Sequence, residues 1–446
     1  MPRHRKKKLP TMPATATIEK LSHDGKGIAH IEGKTTFVLG ALPQETVTFY
    51  YTAQQRHFDE GVVAEVLQAS PERIAPACPH FGVCGGCSAQ HMSPDAQRNL
   101  KQAVLLEQFA HFGKVTPEQV VMPLQGDVWG YRHKARLGVK YVAKKQSVLV
   151  GFREQRSNFL ADIEQCPVLH PTVGLQITAL RKTLTQLIEK DKIAQIEVAV
   201  GENKAALVFR NLVPLDTSDR QKLCELAQQM DAYFYLQPKG IDSVVPLYPE
   251  DLPLDSLYYQ LPTEEVTFQF AAHDFTQVNP SVNRQMVPQA LDWLDLQTTD
   301  CVLDLFCGLG NFTLPLAKRV HNVVGVEGSA PLLERAQYNA QQQGINNVNY
   351  HVANLAEMHL DYPWLSQTYD KVLLDPPRSG ALEIIQQLTF KNVTHVVYVS
   401  CNPATLARDA EILVHQKGFR LIKTGIMDMF PHTAHVESMA LFVKES

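Results

Sequence analysis

Along this chain the spacing of apolar and polar positions changes character twice. From Ala14 to about Ala69, short β-branched and aromatic runs alternate with turns. Ala16–Ile18, Gly27–Ile31, Thr36–Leu39, Glu45–Tyr51 and Gly61–Leu67 predict five strands, with Asp24-Gly25 and Glu32-Gly33 as turns. Five short strands between residues 14 and 70 fit a small closed barrel of the OB type. A helix is expected from Pro94 to Phe112, and residues 172–265 read as α+β structure. There Ile177–Lys192 and Lys222–Met230 are helical, the latter with Cys224 as core filler, while Ile196–Val200 and Ala205–Phe209 are strands. From about Phe268 the pattern becomes strand, helix, strand, as in a parallel sheet covered on both faces. Its strands are Cys301–Phe306, Val323–Glu327, Lys371–Asp375 and His395–Ser400. Its helices are Phe312–Arg319, Leu332–Gln343 and one after Cys401 that stops at Gly418.

Composition adds limits rather than a new picture. A chain of 446 residues, 45% apolar, has the material for about two to four domains. The 42 basic residues are balanced by 46 acidic ones, so overall charge advertises no nucleic-acid partner. No apolar run reaches the roughly 18 residues of a membrane helix. The amino terminus is basic but lacks the apolar core and cleavage site of a secretory signal. The cytoplasm is therefore the expected compartment, a monomer the expected state, and the eight cysteines point to metal or catalytic roles before disulfides.

Local charge is more telling. Arg3, Arg5, Lys6, Lys7 and Lys8 form an acid-free tail that suits either solvation or phosphate contact. Between Gly130 and Arg156 stand Arg132, Lys134, Arg136, Lys140, Lys144, Lys145, Arg153 and Arg156, against the single acid Glu154. Tyr141 and Phe152 are interleaved with them, as on surfaces that stack unpaired bases.

Three stretches carry candidate chemistry. Cys78, Cys84 and Cys87 surround two glycines, and Cys166 is the nearest fourth thiol. Thiolates so spaced suit tetrahedral zinc or an iron–sulfur cluster, and spacing does not choose. The turn Cys307-Gly-Leu-Gly-Asn311 follows a strand carrying Asp304, and the next strand ends in Glu327, placed to accept bonds from ribose hydroxyls. Either a dinucleotide or S-adenosylmethionine fits. Thr313 where a third glycine would cradle a pyrophosphate favours S-adenosylmethionine. Finally, Asp375-Pro-Pro-Arg378 holds an acid on a rigid backbone. One strand further, Cys401 sits at the carboxyl edge where open α/β sheets bind ligands, which predicts a nucleophile.

Asp304-Leu-Phe-Cys-Gly-Leu-Gly-Asn-Phe, Asp375-Pro-Pro-Arg-Ser-Gly, Ser400-Cys-Asn-Pro and His435-Val-Glu437 resemble the RNA 5-methyluridine methyltransferase family. The resemblance spans nearly the whole chain. Residues 14–70 resemble a TRAM domain, an RNA-binding barrel, and barrel plus cysteine set resemble the branch acting on 23S ribosomal RNA. The fold this implies is α/β. It has a basic tail (1–13), an OB-type TRAM barrel (14–70), a central α+β iron–sulfur domain (71–266) and a Rossmann-like SAM-dependent methyltransferase domain (267–446). In that branch four cysteines hold a 4Fe-4S cluster, which implies Cys78, Cys84, Cys87 and Cys166 here.

The implied activity is methyl transfer from S-adenosylmethionine to C5 of one uridine, through a covalent adduct of Cys401 with uracil C6. Glu437 would remove the C5 proton. Gln277, Phe306, Asn311, Glu327, Asn354 and Asp375 match the family's cofactor site, with Asn354 facing the adenine, while Cys301 and Cys307 read as packing residues. The same chemistry on another ribosomal uridine or on transfer RNA is the alternative. A radical or electron-transfer enzyme is opposed by the cysteine spacing, and a non-catalytic RNA-binding module by the intact nucleophile, cofactor loop and base. A nicotinamide dehydrogenase is opposed by the missing pyrophosphate loop.

Overall fold

A computed structural model of the chain describes residues 9–357 and 362–445, so the tail cations Arg3 to Lys8 lie outside it. The first unit is a six-stranded sheet in which Thr46–Gln54 and Phe58–Gln68 pair antiparallel and Lys34–Leu39 joins the latter in parallel. It contains the expected strands and adds the two-residue Lys20–Leu21. Alternation does the folding: Val38, Val47 and Phe49 point inward into one small core. Gly61 is required there, since a Cβ would lie 2.3 Å from the Phe49 ring.

The central sheet has the order Val245–Tyr248, Ala232–Leu236, Ala205–Asn211, Ile193–Val200, Lys134–Val142, Ser147–Gly151. Helices Ile177–Thr185 and Thr217–Met230 share its core. The first helix ends well before the expected Lys192. Asp219 of the second helix accepts the amides of Ile188 and Glu189 at 2.9 and 3.0 Å, so a tertiary carboxylate takes over from helical acceptors.

The third unit is an eight-stranded sheet, ordered Val348–Val352, Asn322–Glu327, Cys301–Leu305, Lys371–Leu374, His395–Ser400, Glu437–Val443, Arg420–Met427, Gln119–Val120. The first five strands are parallel, and Glu437–Val443 runs antiparallel between its neighbours. The chain order reverses between Cys301–Leu305 and Lys371–Leu374, which opens a crevice at their carboxyl ends. Alternate side chains feed two cores, Val302 one and Leu303 and Leu305 the other. Val302's core also takes in Ala199, Ala206, Val208 and Tyr235 of the central sheet. Phe268 and Phe270 of the Leu257–Phe270 hairpin lie in it fully buried, each contributing about 1.5–3 kcal/mol. Central and catalytic sheets are thus joined by one continuous core.

Among the described residues no helix is long and apolar enough to cross a membrane. The expected iron–sulfur domain requires correction. Cys78, Cys84, Cys87 and Cys166 do line one small cavity of about 20 Å3, together with Phe81, Phe152 and Ile163. Yet among the described residues no group of three or more His, Cys, Asp or Glu side chains is placed to hold a metal ion. An iron–sulfur site needs four thiolates aimed at a common cluster. Burial pushes the Cys84 thiol up to about 11 and the Cys87 thiol up to about 12. Spacing brought the segments together without setting that geometry.

Candidate active site

The crevice is built from strand ends. After Leu305 the backbone turns through Phe306 in a left-handed conformation, φ +64°, and then through Gly308 and Gly310 at +54° and +91°. This turn points its amides along the sheet edge. Gly308 N–H donates to Glu327 Oε2 at 3.1 Å, and Ser329 N–H to Oε1 at 3.0 Å. The carboxylate is fixed in orientation while each oxygen keeps a free lone pair for a ribose hydroxyl. Asp304, fully buried, accepts from Thr313 Oγ1 at 2.5 Å, and burial raises its carboxyl to about 7. The residue that replaced the third glycine therefore holds the loop to its strand.

Asn311 is locked by a reciprocal amide pair with Asn283, both bonds 3.0 Å, and accepts from Tyr259 Oη at 3.1 Å. Asn354 is exposed, and its Oδ1 accepts from Ala356 N–H at 3.1 Å, leaving the NH2 free to reach an adenine. Phe306, Glu327 and Asn354 follow three adjacent strands, and a nucleoside with a short charged tail fits this edge. Gln277 sits among the residues that hold Asn311. It lines a second cavity of about 440 Å3 with His133, His170, Tyr259, Asn283 and Arg284.

Cys401 follows the last paired residue of its strand. Ser400 pairs with Ser438, so Cys401 and Glu437 face each other one step further along adjacent antiparallel strands. Asp375 directly follows the neighbouring parallel strand Lys371–Leu374. Burial, then Glu437, then Asp375 push the Cys401 thiol up to about 11. Burial and Asp375 raise Glu437 to about 8, against the opposing pull of Arg378 and Lys101. Burial alone raises Asp375 to about 7. A thiol thus meets, at one edge, two carboxyl groups poised for proton exchange near neutral pH. The two loops are tied together, since Asn402 Nδ2 donates to Arg378 O at 3.0 Å and Asn402 caps the helix Pro403–His415 through Ala404 N–H.

Cys401 opens into a cleft of about 890 Å3 that collects residues from every unit. His23 and Asp24 come from the barrel, Gly85 and Gly86 from the cysteine loop, Arg132 and Phe152 from the central sheet. Two of its guanidinium groups form no ion pair among the described residues: Arg378 contacts His435 Nδ1 at 3.4 Å, and Arg132 lies 5.7 Å from the Phe430 ring centre. Cations so placed suit phosphates.

One buried pair near the site is absent from the sequence reading. Lys101, on the helix Pro94–Gln108, is buried against Asp428 at 2.6 Å and donates to Phe430 O at 2.9 Å. It anchors the loop that leads into Glu437. That loop is also held by Gln97 on His432 N–H, by Tyr131 on Pro431 O and by a 4.0 Å stack of Trp129 on His432. A lysine on the buried face of a helix, four residues after buried Gln97, was the available hint.

Residues 130–445 match the family described as tRNA (Uracil-5-)-methyltransferase, and residues 14–49 match the TRAM domain. The chain is 52% identical over 440 residues to the 23S rRNA (uracil(1939)-C(5))-methyltransferase RlmD of Methylococcus capsulatus, covering 99% of each. To the protein of the same name from Hahella chejuensis it is 53% identical over 445 residues, again 99% of each. In fold it resembles the Pyrococcus abyssi tRNA (uracil-54, C5)-methyltransferase solved with S-adenosyl-L-homocysteine. The TM-score is 0.71 at 22% identity, covering 97% of this chain and 100% of that one.

Proposed function

The chain belongs to the tRNA (Uracil-5-)-methyltransferase family, and from that membership we propose that it methylates C5 of a uridine in 23S ribosomal RNA. Two relatives of about half-identical sequence, matched over their full length, carry that activity in their names. The observation that carries the chemistry is the register that sets Cys401 opposite Glu437, with Asp375 on the next strand.

Uracil C5 is too weak a nucleophile to be alkylated directly. Cys401 Sγ bonds to C6, its proton passing to a neighbouring carboxylate, and the ring's π electrons move toward O4, which makes C5 nucleophilic. S-adenosylmethionine supplies the electrophilic methyl group that C5 takes. Glu437 then accepts the C5 proton, the pair left behind restores the C5–C6 double bond, and Cys401 leaves as thiolate. A base near pKa 8 suits this step at physiological pH. Glu327 orients the cofactor's ribose, Phe306, Asn311 and Asn354 frame its nucleoside with Gln277 on the Asn311 side, and Asp375 lies beside Cys401 and Glu437 at the reacting end. The target base must leave its stack to reach Cys401, at a cost of a few kcal/mol. The barrel and the basic central segment hold the RNA open for it, in the cytoplasm where ribosomes assemble.

The test is labelled methyl transfer to 23S ribosomal RNA and transfer RNA transcripts side by side, with the modified position mapped. Modification of C5 at one ribosomal uridine is expected. Methylation of the transfer RNA instead would keep the chemistry and overturn the substrate.

A further inference from the structure

Beside the Cys401 cleft lies a groove of about 770 Å3 that the methylation chemistry does not use. It runs between the hairpin Lys134–Val142 and Ser147–Gly151 and the loop of residues 152–162. Its walls carry Arg136, Lys140, Lys145 and Arg153, all exposed. Arg136 pairs with Glu197 at 3.0 Å and Lys145 with Asp162, whereas Lys140 and Arg153 form no ion pair among the described residues. Arg153 Nη1 is instead steadied on Asn158 O at 3.2 Å.

On the same loop Phe159 is 76% exposed. A single exposed apolar side chain is ordinary, but this one is held out by a clamped loop. Glu154 N–H donates to Phe159 O at 2.8 Å, Ser157 Oγ to Glu154 Oε2 at 2.6 Å, and Phe159 N–H to Ser157 Oγ at 3.0 Å. An exposed ring on a clamped loop, lining one groove with unpaired cations, is the arrangement that stacks bases of a single strand while the backbone follows the charge. The groove also has a direction. Phe152 lines both it and the Cys401 cleft, so a strand leaving the cleft passes over Phe152 into the groove.

We propose that this groove binds single-stranded RNA flanking the target uridine, with phosphates on Lys140 and Arg153 and one base stacked on Phe159. It rests on the RNA-methylating function proposed above. It adds a separate binding site that acts on affinity for long substrates and not on the chemical step.

The test uses the full chain with a long 23S ribosomal RNA fragment. Phe159→Ala should weaken RNA binding by about 5- to 100-fold, the effect of losing one base–aromatic stack. It should raise KM for RNA to match and leave kcat unchanged, and Phe159→Trp should restore binding. Lys140→Glu with Arg153→Glu should flatten the dependence of log affinity on log salt by about one unit per phosphate lost. Unchanged binding in both variants, alongside normal methylation by the unaltered chain, overturns the groove and leaves the function intact. Reduced kcat at unchanged KM overturns it as well. Unchanged RNA binding with weakened binding of a ribosomal protein would assign the groove to protein. If the unaltered chain methylates no ribosomal RNA, the function fails, and weakened RNA binding by Phe159→Ala would still support the groove.

Discussion

Two sets of thiols in this molecule, Cys401 at the catalytic edge and the four of the cysteine loop, start from the same physics and end differently. Burial raises Cys401 and Cys84 to about 11 and Cys87 to about 12. What separates them is the company. Cys401 has Glu437 and Asp375 across adjacent strands, groups that exchange protons near neutral pH, and a cleft large enough for a nucleotide. The loop cysteines face one another and aromatic rings around a cavity too small for more than a water molecule.

The largest expected effect removes the distinguishing thiol. Cys401→Ala should reduce methyl transfer to background while RNA affinity stays within a few-fold, measured by filter binding beside activity. A matching loss of binding would make Cys401 structural, like the loop cysteines. Next, Glu437→Gln should lower turnover by about 10^2- to 10^4-fold and accumulate an RNA–protein adduct stable on denaturing gels. With no adduct, the contrast would no longer rest on Glu437.

Smaller effects ask how far the central unit reaches into the edge. Lys101→Met removes the nearer cation of Asp428 and leaves it only Arg98 at 3.9 Å, and should cost up to about 3–5 kcal/mol in denaturant unfolding. Because Lys101 holds Glu437 down, any folded variant should also show its activity profile displaced to higher pH. An unmoved profile would confine Lys101 to packing. In the unaltered enzyme, Glu437 is raised to about 8, so the deprotonated base grows as pH rises through 8. Single-turnover adduct resolution should then fall up to about tenfold per pH unit below that value. The sign for stability is opposite. A carboxyl raised on folding favours the native state below its unfolded value near 4.5 and progressively disfavours it as pH climbs to about 8. The Tm of Glu437→Gln relative to the unaltered chain should therefore increase across that window.

Much of the catalytic unit was legible beforehand because its signals are local. A β-branched run ending at Ser400, followed by an Asn-Pro helix start, places Cys401 on a strand end whatever surrounds it. A glycine turn followed by the acid-ending strand Asn322–Glu327 likewise places Glu327. The cysteine loop was over-read, since spacing along a chain limits which residues can meet and not how their sulfurs are aimed. Gln277 lines a cavity that it shares with Tyr259 and Asn283, the two residues hydrogen-bonded to Asn311.

Local order therefore came from periodicity and turn chemistry, which act over a few residues and survive in any context: the barrel strands, the alternating sheet and the strand-end positions of Asp375 and Cys401. Tertiary packing alone decided three things that depend on distant segments meeting. It buried Lys101 on Asp428 across 327 positions, tied Asn311 to Asn283, and merged the central and catalytic cores. The raised carboxyl of Glu437 belongs with them, because desolvation is a property of what covers a residue and not of its neighbours in sequence.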